Sequence, residues 1–314
     1  MIGQYKNGNY VLFIDDDGTK VRVSKDDTFI PERPEHMDVK ITNMCDMGCP
    51  YCHEDSKPDG KHGDIMNDPF LNSVEEYTEL AIGGGNPLSH PQLIPFLQKM
   101  KERNVICNMT VNQMHFLANL EGIRFLCDNG LIHGLGVSLV KVSNELLANI
   151  RMFPNAVIHV IAGVVDMRTL KKLYDNNIKL LFLGYKKIRR GLTNYNSTFE
   201  TGVAIECNIH AVQDNLREIV RHFNVVSFDN LAIEQLDVKQ LVAKQDFDAK
   251  QRVQEYDFDA YRKRYMGDDG EFSMFVDCVK RRFASSSISP VKHDYTTETA
   301  REMFRIIRKE NGYV

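Results

Sequence analysis

Three cysteines carry the clearest chemistry in this sequence. In NMCDMGCPYCHE, Cys45, Cys49 and Cys52 stand with three residues between the first pair and two between the second. Thiolates this close in sequence can converge on one metal centre if the loop between them wraps it. Gly48 and Pro50 supply turning backbone for that wrap. Their number is informative. A structural zinc site and an electron-transferring cubane each take four ligands, whereas a cubane on three cysteines leaves one iron open to a small molecule. His53 could complete a Cys3His zinc knot, and that alternative stays open at this point.

The other four cysteines add no second set. Cys107 and Cys127 sit in strand-like and helix-like runs and read as core, while Cys207 and Cys278 are far apart and lack paired spacing. Seven is an odd count, and MIGQYKNGNY has no basic-then-apolar signal layout. A reducing cytosol is therefore the expected compartment, with clustered cysteines acting as ligands before disulfides.

Further along, polar and glycine positions recur at the ends of strand-like runs. Gly83-Gly84-Gly85 in AIGGGNPLSHPQL exposes backbone for close approach of a ligand. In ICNMTVN, Asn108, Thr110 and Asn112 alternate with Cys107, Met109 and Val111, so the polar set shares one face. Ser138 lies between Val137 and Leu139, with Lys141 just beyond. HVIAGVVD offers Ile161 as an apolar surface and Gly163 as an open backbone position. Lys186, Arg189 and Arg190 form a basic run that reads as a solvated surface or as a rim for an anionic group.

The elements that would position these residues follow from periodicity. The chain has 314 residues, 43% hydrophobic and 26% charged, which suits a folded α/β protein of one large domain or two smaller ones. Its net charge of −4 gives no footprint for gross nucleic-acid binding. No run of about 18 apolar residues is present, so no transmembrane helix is expected. Strand-like runs at 37–43, 78–83, 106–112, 133–140, 156–164 and 179–185 alternate with helical stretches near 66–76, 91–103, 115–128, 143–152 and 167–177. Six βα units in about 150 residues predict an open or partial parallel barrel.

Residues 1–35 read as an N-terminal β-hairpin appendage, with Tyr10–Ile14 and Lys20–Val23 flanking Asp17-Gly18. Residues 36–190 form the barrel core, and 191–314 a C-terminal α+β extension that covers it and shapes the pocket. In that extension a helix is expected near 211–222, helical character over 237–266, and a hairpin signal at Asp268-Asp269-Gly270 before EFSMFVDCV.

The cysteine motif, with Tyr51 beside Cys52, resembles that of the radical S-adenosylmethionine (SAM) superfamily in residue type, order, spacing and place after the first barrel strand. The resemblance covers roughly residues 37–190. It implies a partial (βα)6 barrel in which Cys45, Cys49 and Cys52 hold a [4Fe–4S] cluster whose open iron chelates the amino and carboxylate groups of SAM. It further implies reductive cleavage of SAM to methionine and a 5′-deoxyadenosyl radical that abstracts hydrogen from a substrate. A one-electron reductant such as flavodoxin or ferredoxin is the implied partner.

Residue by residue, the resemblance carries Gly83 and Gly84 to the SAM amino group. Gly85-Asn86-Pro87 replaces the family's Glu-Pro, leaving Asn86 as the candidate substitute through its amide oxygen. Asn112 and Ser138 are implied SAM contacts, Lys141 a partner for the carboxylate, and Ile161, Gly163 and Asp166 match the adenine pattern, with His159 where glycine is usual.

For the substrate, a peptide or protein is the first expectation, because DDGEFSMFVDCV resembles strand–turn regions of peptide-modifying relatives without their extra cluster cysteines. The alternatives are a small metabolite or nucleotide, favoured by the short chain, and a non-catalytic iron–sulfur or zinc redox module.

Overall fold

The computed structural model describes residues 1–26, 28–243 and 267–313. An α/β sheet, mostly parallel, organises the chain. Strands β4 (His36–Thr42), β5 (Glu79–Gly84), β6 (Ile106–Asn112), β7 (Gly134–Ser138), β8 (Ala156–Ile161) and β9 (Lys179–Leu183) lie side by side in chain order, each parallel to the next. All six were legible as strand-like runs. Between them run α1 (Pro69–Ser73), α2 (Leu93–Glu102), α3 (Gln113–Ala118), α4 (Leu120–Asp128), α5 (Asn144–Ile150) and α6 (Met167–Lys171).

Local caps explain several boundaries. Ser143 accepts from Leu146 N at 3.1 Å and Asp166 from Thr169 N at 2.7 Å, each satisfying a first-turn amide. The stretch expected at 115–128 is two helices. Asn112 caps the first through Met114 N, and the chain breaks at Asn119 before the second starts.

Period-two alternation divides the strands between two environments. Met37, Val39 and Ile41, Leu80 and Ile82, Met109 and Val111, Ile158 and Val160, and Leu180 and Phe182 are buried in the main core. Each such side chain contributes about 1.5–3 kcal/mol by leaving water. Their alternates, among them Asp38, Lys40, Gly83, Thr110, His159 and Leu181, line a cavity instead.

The remaining strands extend this sheet at both edges. After α7 (Arg189–Tyr195), α8 (Phe199–Asp214) and α9 (Leu216–Ile219), β10 (Val225–Phe228) adds in parallel to β9. Past α10 (Asn230–Gln235) and α11 (Gln240–Ala243), β11 (Ser273–Asp277) adds in parallel to β4 on the other side. Two antiparallel strands, β12 (Arg282–Ala284) and β13 (His293–Asp294), complete that edge, and α12 (Ala300–Glu310) closes the described chain under a Thr299–Glu302 capping box.

Three expectations need correction. The helix near 211–222 starts at Phe199 and breaks at Asn215; Gly202 and β-branched Thr201, Val203, Ile205 and Ile209 weaken its propensity, and packing of Ile205, Ile209 and Val212 overrides it. Asp268-Asp269-Gly270 is not the hairpin turn. The turn lies between β11 and β12, and Asp268–Gly270 leads into a strand whose other partner, β4, is parallel. The N-terminal piece has three strands, because β1 (Gly3–Asn7) joins β2 (Tyr10–Ile14) and β3 (Lys20–Ser24). Of the helical stretch expected at 237–266, residues 244–266 lie outside the described residues.

The three-stranded sheet is tied across the starts of the parallel strands. Tyr5, Tyr10, Leu12 and Ile14 form an apolar cluster with Ile106 and Phe272. Arg22 donates to both oxygens of buried Glu35, at 2.6 and 2.8 Å, and Lys20 pairs with Glu79 at 2.7 Å. Glu79 also accepts from Asn108, so this carboxylate is already engaged at the strand starts.

Candidate active site

The cysteine loop is an excursion from the C-terminal end of β4. Asn43 N donates to Lys61 O, Cys45 N to Lys57 O and Lys57 N back to Asn43 O, at 2.8–3.0 Å, so both ends of the loop are stitched together. Gly48 sits at φ 60°, where a left-handed turn favours glycine.

The glycine triplet clasps this loop from β5. Gly85 N donates to Thr42 O at 2.8 Å and Asn86 N to Met44 O at 2.7 Å. A Cβ at Gly85 would fall 2.2 Å from Met44 O, and one at Gly84, where φ is 110°, would fall 2.4 Å from Thr42 O. Gly83 differs, since a Cβ there meets nothing within 4 Å. Its neighbours are therefore required by the backbone, whereas Gly83 borders open cavity space.

Charges hold the far side of the loop. Glu54, two residues past Cys52, is buried and meets Lys40 Nζ at 2.6 Å, His53 Nε2 at 3.3 Å and Arg189 Nη1 at 3.3 Å. Burial alone would raise this carboxyl, but His53 and Lys40 outweigh it and hold Glu54 below the usual carboxylate range. Arg189 also donates to His53 O at 2.8 Å and Arg190 to Ser56 O at 2.6 Å. Arg189 keeps a left-handed φ of 46°, a strained backbone for a non-glycine residue. On the near side, Asp46 meets His115 Nε2 at 2.7 Å, joining the loop to α3.

The three thiols line one cavity of about 730 Å³, within the usual size of a small-ligand site. Residues from all eight parallel strands, β4 to β11, contribute to its wall, so the sheet curves round it. Burial pushes the Cys45 and Cys49 thiols up, and each is pushed further by Cys52. Burial holds His159 down at about 4 and keeps its ring neutral near pH 7. Desolvation raises the Asp38 carboxyl, with Asp269 and Asp229 adding to the rise.

The fold has counterparts among solved structures. Streptococcus suis SuiB bound to precursor peptide SuiA superposes with a TM-score of 0.57 over 88% of this chain and 65% of that one, at 12% identity. SuiB bound to S-adenosylmethionine gives 0.52 over 84% and 64%, at 11% identity. The chain has the fold of SuiB. It spans just under two thirds of SuiB's length. No protein-family model and no curated protein sequence matches the chain.

Within this SuiB fold, most residues singled out from sequence meet at the cavity. Cys45, Cys49, Cys52, Tyr51, Gly83, Gly84, Gly85, Asn112, Ser138 and Ile161 all line it. Asn86, Lys141 and Gly163 stand outside the lining. Asn86 Oδ1 accepts from Leu88 N at 3.2 Å and so serves the short turn Pro87–Ser89. Lys141 is exposed, its backbone N–H donating to Gln113 Oε1. Gly163 has φ 86° and lies against Ile205 of α8. Sequence reasoning missed Lys40, Glu54, Asp38 and Ser285–Ser287. Only the apolar setting of Lys40 in MDVKIT signalled that its charge needs a buried partner.

The donor set can be tested against a cluster. Three thiols from one loop share a cavity, and Arg190 favours the ionised forms of Cys45 and Cys49. His53 faces Glu54 in place of completing a fourth ligand. Among the described residues no three His, Cys, Asp or Glu side chains close on a single ion. Cysteine thiolates are the donors a [4Fe–4S] cubane takes, so three of them facing one cavity are a donor set of the right type.

Proposed function

We propose that this chain is a radical SAM enzyme. What supports the reading is one conjunction: the thiols of Cys45, Cys49 and Cys52 open onto the same cavity as the Gly83 strand end, in a chain with the fold of SuiB. The three cysteines would hold a [4Fe–4S] cluster. When bound, that cluster supplies the electron that splits the SAM sulfonium into methionine and a 5′-deoxyadenosyl radical, which takes hydrogen from the substrate.

The chain's own residues do the rest. Gly83 leaves room for the SAM amino group, Asn112 and Ser138 present polar atoms at adjacent strand ends, and Ile161 gives an apolar surface to adenine. Tyr51 lies in the cavity wall with the cysteines. Residues 36–190 act as a partial barrel carrying the cofactors, 1–35 as an appendage, and 191–314 as the part that shapes the substrate pocket. The substrate is a peptide or protein, a reading supported by the precursor peptide bound to SuiB. A flavodoxin or ferredoxin supplies the electron in a reducing cytoplasm. Among the described residues no helix is long and apolar enough to cross a membrane.

Anaerobic protein reduced with dithionite tests the reading. About four irons per chain, lost when the three cysteines become Ala, and slow formation of 5′-deoxyadenosine from SAM are expected. Formation of S-adenosylhomocysteine without deoxyadenosine would sink it.

A further inference from the structure

Among the described residues, the corner of the cavity between β9 and β12 holds a cation without an ion-pair partner. Lys186 follows β9, and its Nζ donates to Ser287 Oγ at 3.0 Å. Among the described residues no carboxylate lies within ion-pair distance of that ammonium; Asp38 on β4 feels its charge but makes no ion pair with it. Ser285 and Ser286 line the same cavity, half-buried, and neither hydroxyl has a hydrogen-bond partner in the described protein.

A second cation stands close by. Lys292 Nζ donates to Ser287 O at 3.2 Å, and burial followed by the charge of Arg189 lowers its pKa. Glu54 and Asp277 are both engaged by Lys40, and among the described residues Asp38, Asp229, Asp268 and Asp269, which also line the cavity, make no ion pair with Lys186. A half-buried ammonium with no ion-pair partner is costly unless a ligand supplies one.

This corner is also held in place. Gln235 of α10 accepts from Tyr185 N at 2.8 Å and donates to Tyr185 O at 3.1 Å, fixing the backbone just before Lys186. The serines follow β12, which pairs with β11. An ammonium and two free hydroxyls on rigid strand ends suit a planar anion with two acceptor oxygens.

We propose that Lys186, Ser285 and Ser286 form a carboxylate-binding subsite of the cavity. The carboxylate belongs to an acidic group on the substrate or to SAM itself. Only that choice rests on the radical SAM reading; the subsite does not.

Glutarate, a plain dicarboxylate, is the probe. Calorimetric titration of the full chain is expected to show binding that Lys186→Gln weakens about tenfold or more and Ser285→Ala/Ser286→Ala weakens severalfold. Lys187→Gln, at the exposed neighbour, keeps wild-type affinity. Equal glutarate affinity in wild type and both subsite variants, or no binding to wild type, overturns the proposal. Cluster-loaded protein then separates the sources. If Lys186→Gln weakens SAM but not decarboxylated SAM, the subsite serves SAM; if it spares both while glutarate is lost, it serves the substrate. The glutarate arm needs neither cluster nor SAM, so its failure leaves the radical reading standing. Absence of deoxyadenosine from wild type sinks that reading and leaves the glutarate result intact.

Discussion

Lys40 Nζ lies 2.6 Å from Glu54 Oε2 and 3.5 Å from Asp277 Oδ2, so one buried ammonium ties the cysteine loop both to the strand it leaves and to β11. Removing a single member of such a buried set strands the other charges. Glu54→Ala is expected to cost about 3–5 kcal/mol in urea unfolding. The triple variant Lys40→Met/Glu54→Leu/Asp277→Asn should recover much of that loss, and failure to recover any would show that the network is not a balanced unit.

The pH dependence of the same carboxylate has a definite sign. Glu54 is depressed in the folded chain, so its contribution is complete above the unfolded value of about 4.3 and fades as pH falls below it. Acid unfolding curves should therefore separate wild type from Glu54→Gln above pH 5 and draw them together at lower pH. Curves that stay parallel throughout would contradict this.

His159 works in a higher window. Its folded value of about 4 lies below the free histidine value, so the folded state binds fewer protons there. Stability from this residue is full above about pH 6.5 and falls as pH drops towards 4. In NMR titration its ring protons should stay in the neutral position at pH 5.5, and His159→Gln should lessen the loss of stability between pH 6.5 and 4.

The three glycines should respond differently to alanine. Gly84→Ala and Gly85→Ala drive a methyl into Thr42 O and Met44 O, and are expected to lower the Tm by several degrees or prevent folding. Gly83→Ala adds a methyl only to open cavity space. It should keep the wild-type Tm and lose affinity for SAM, as read by equilibrium binding to the cluster-loaded protein.

The βα alternation was legible because it rests on local periodicity. Strand β6 fell on the same residues in sequence and structure, since alternating Cys107, Met109 and Val111 against Asn108, Thr110 and Asn112 is a purely local signal. The cysteines, glycines, Asn112, Ser138 and Ile161 were legible as strand-end residues. Residues whose meaning is tertiary were not. Lys40 acquires its role from Glu54 and Asp277, and Lys186 from a serine loop about a hundred positions later. Asn86, which the resemblance matches to a ligand contact, has its oxygen in its own turn, a local role the match did not reveal.

The pairing of β11 with β4 sets an order of events during synthesis. A ribosome releases the neighbours β4 to β9, and then β10, long before β11 emerges, and domains begin to organise as they appear. Through that interval the edge of β4 is unpaired on one side, and Lys40 can reach Glu54 but not Asp277. The cysteine loop of the nascent chain is thus held by fewer anchors than that of the finished protein. Under the proposed function, loading of a cluster into a stalled chain ending before residue 273 should be less secure than loading after release, which would place maturation of the loop at the end of translation.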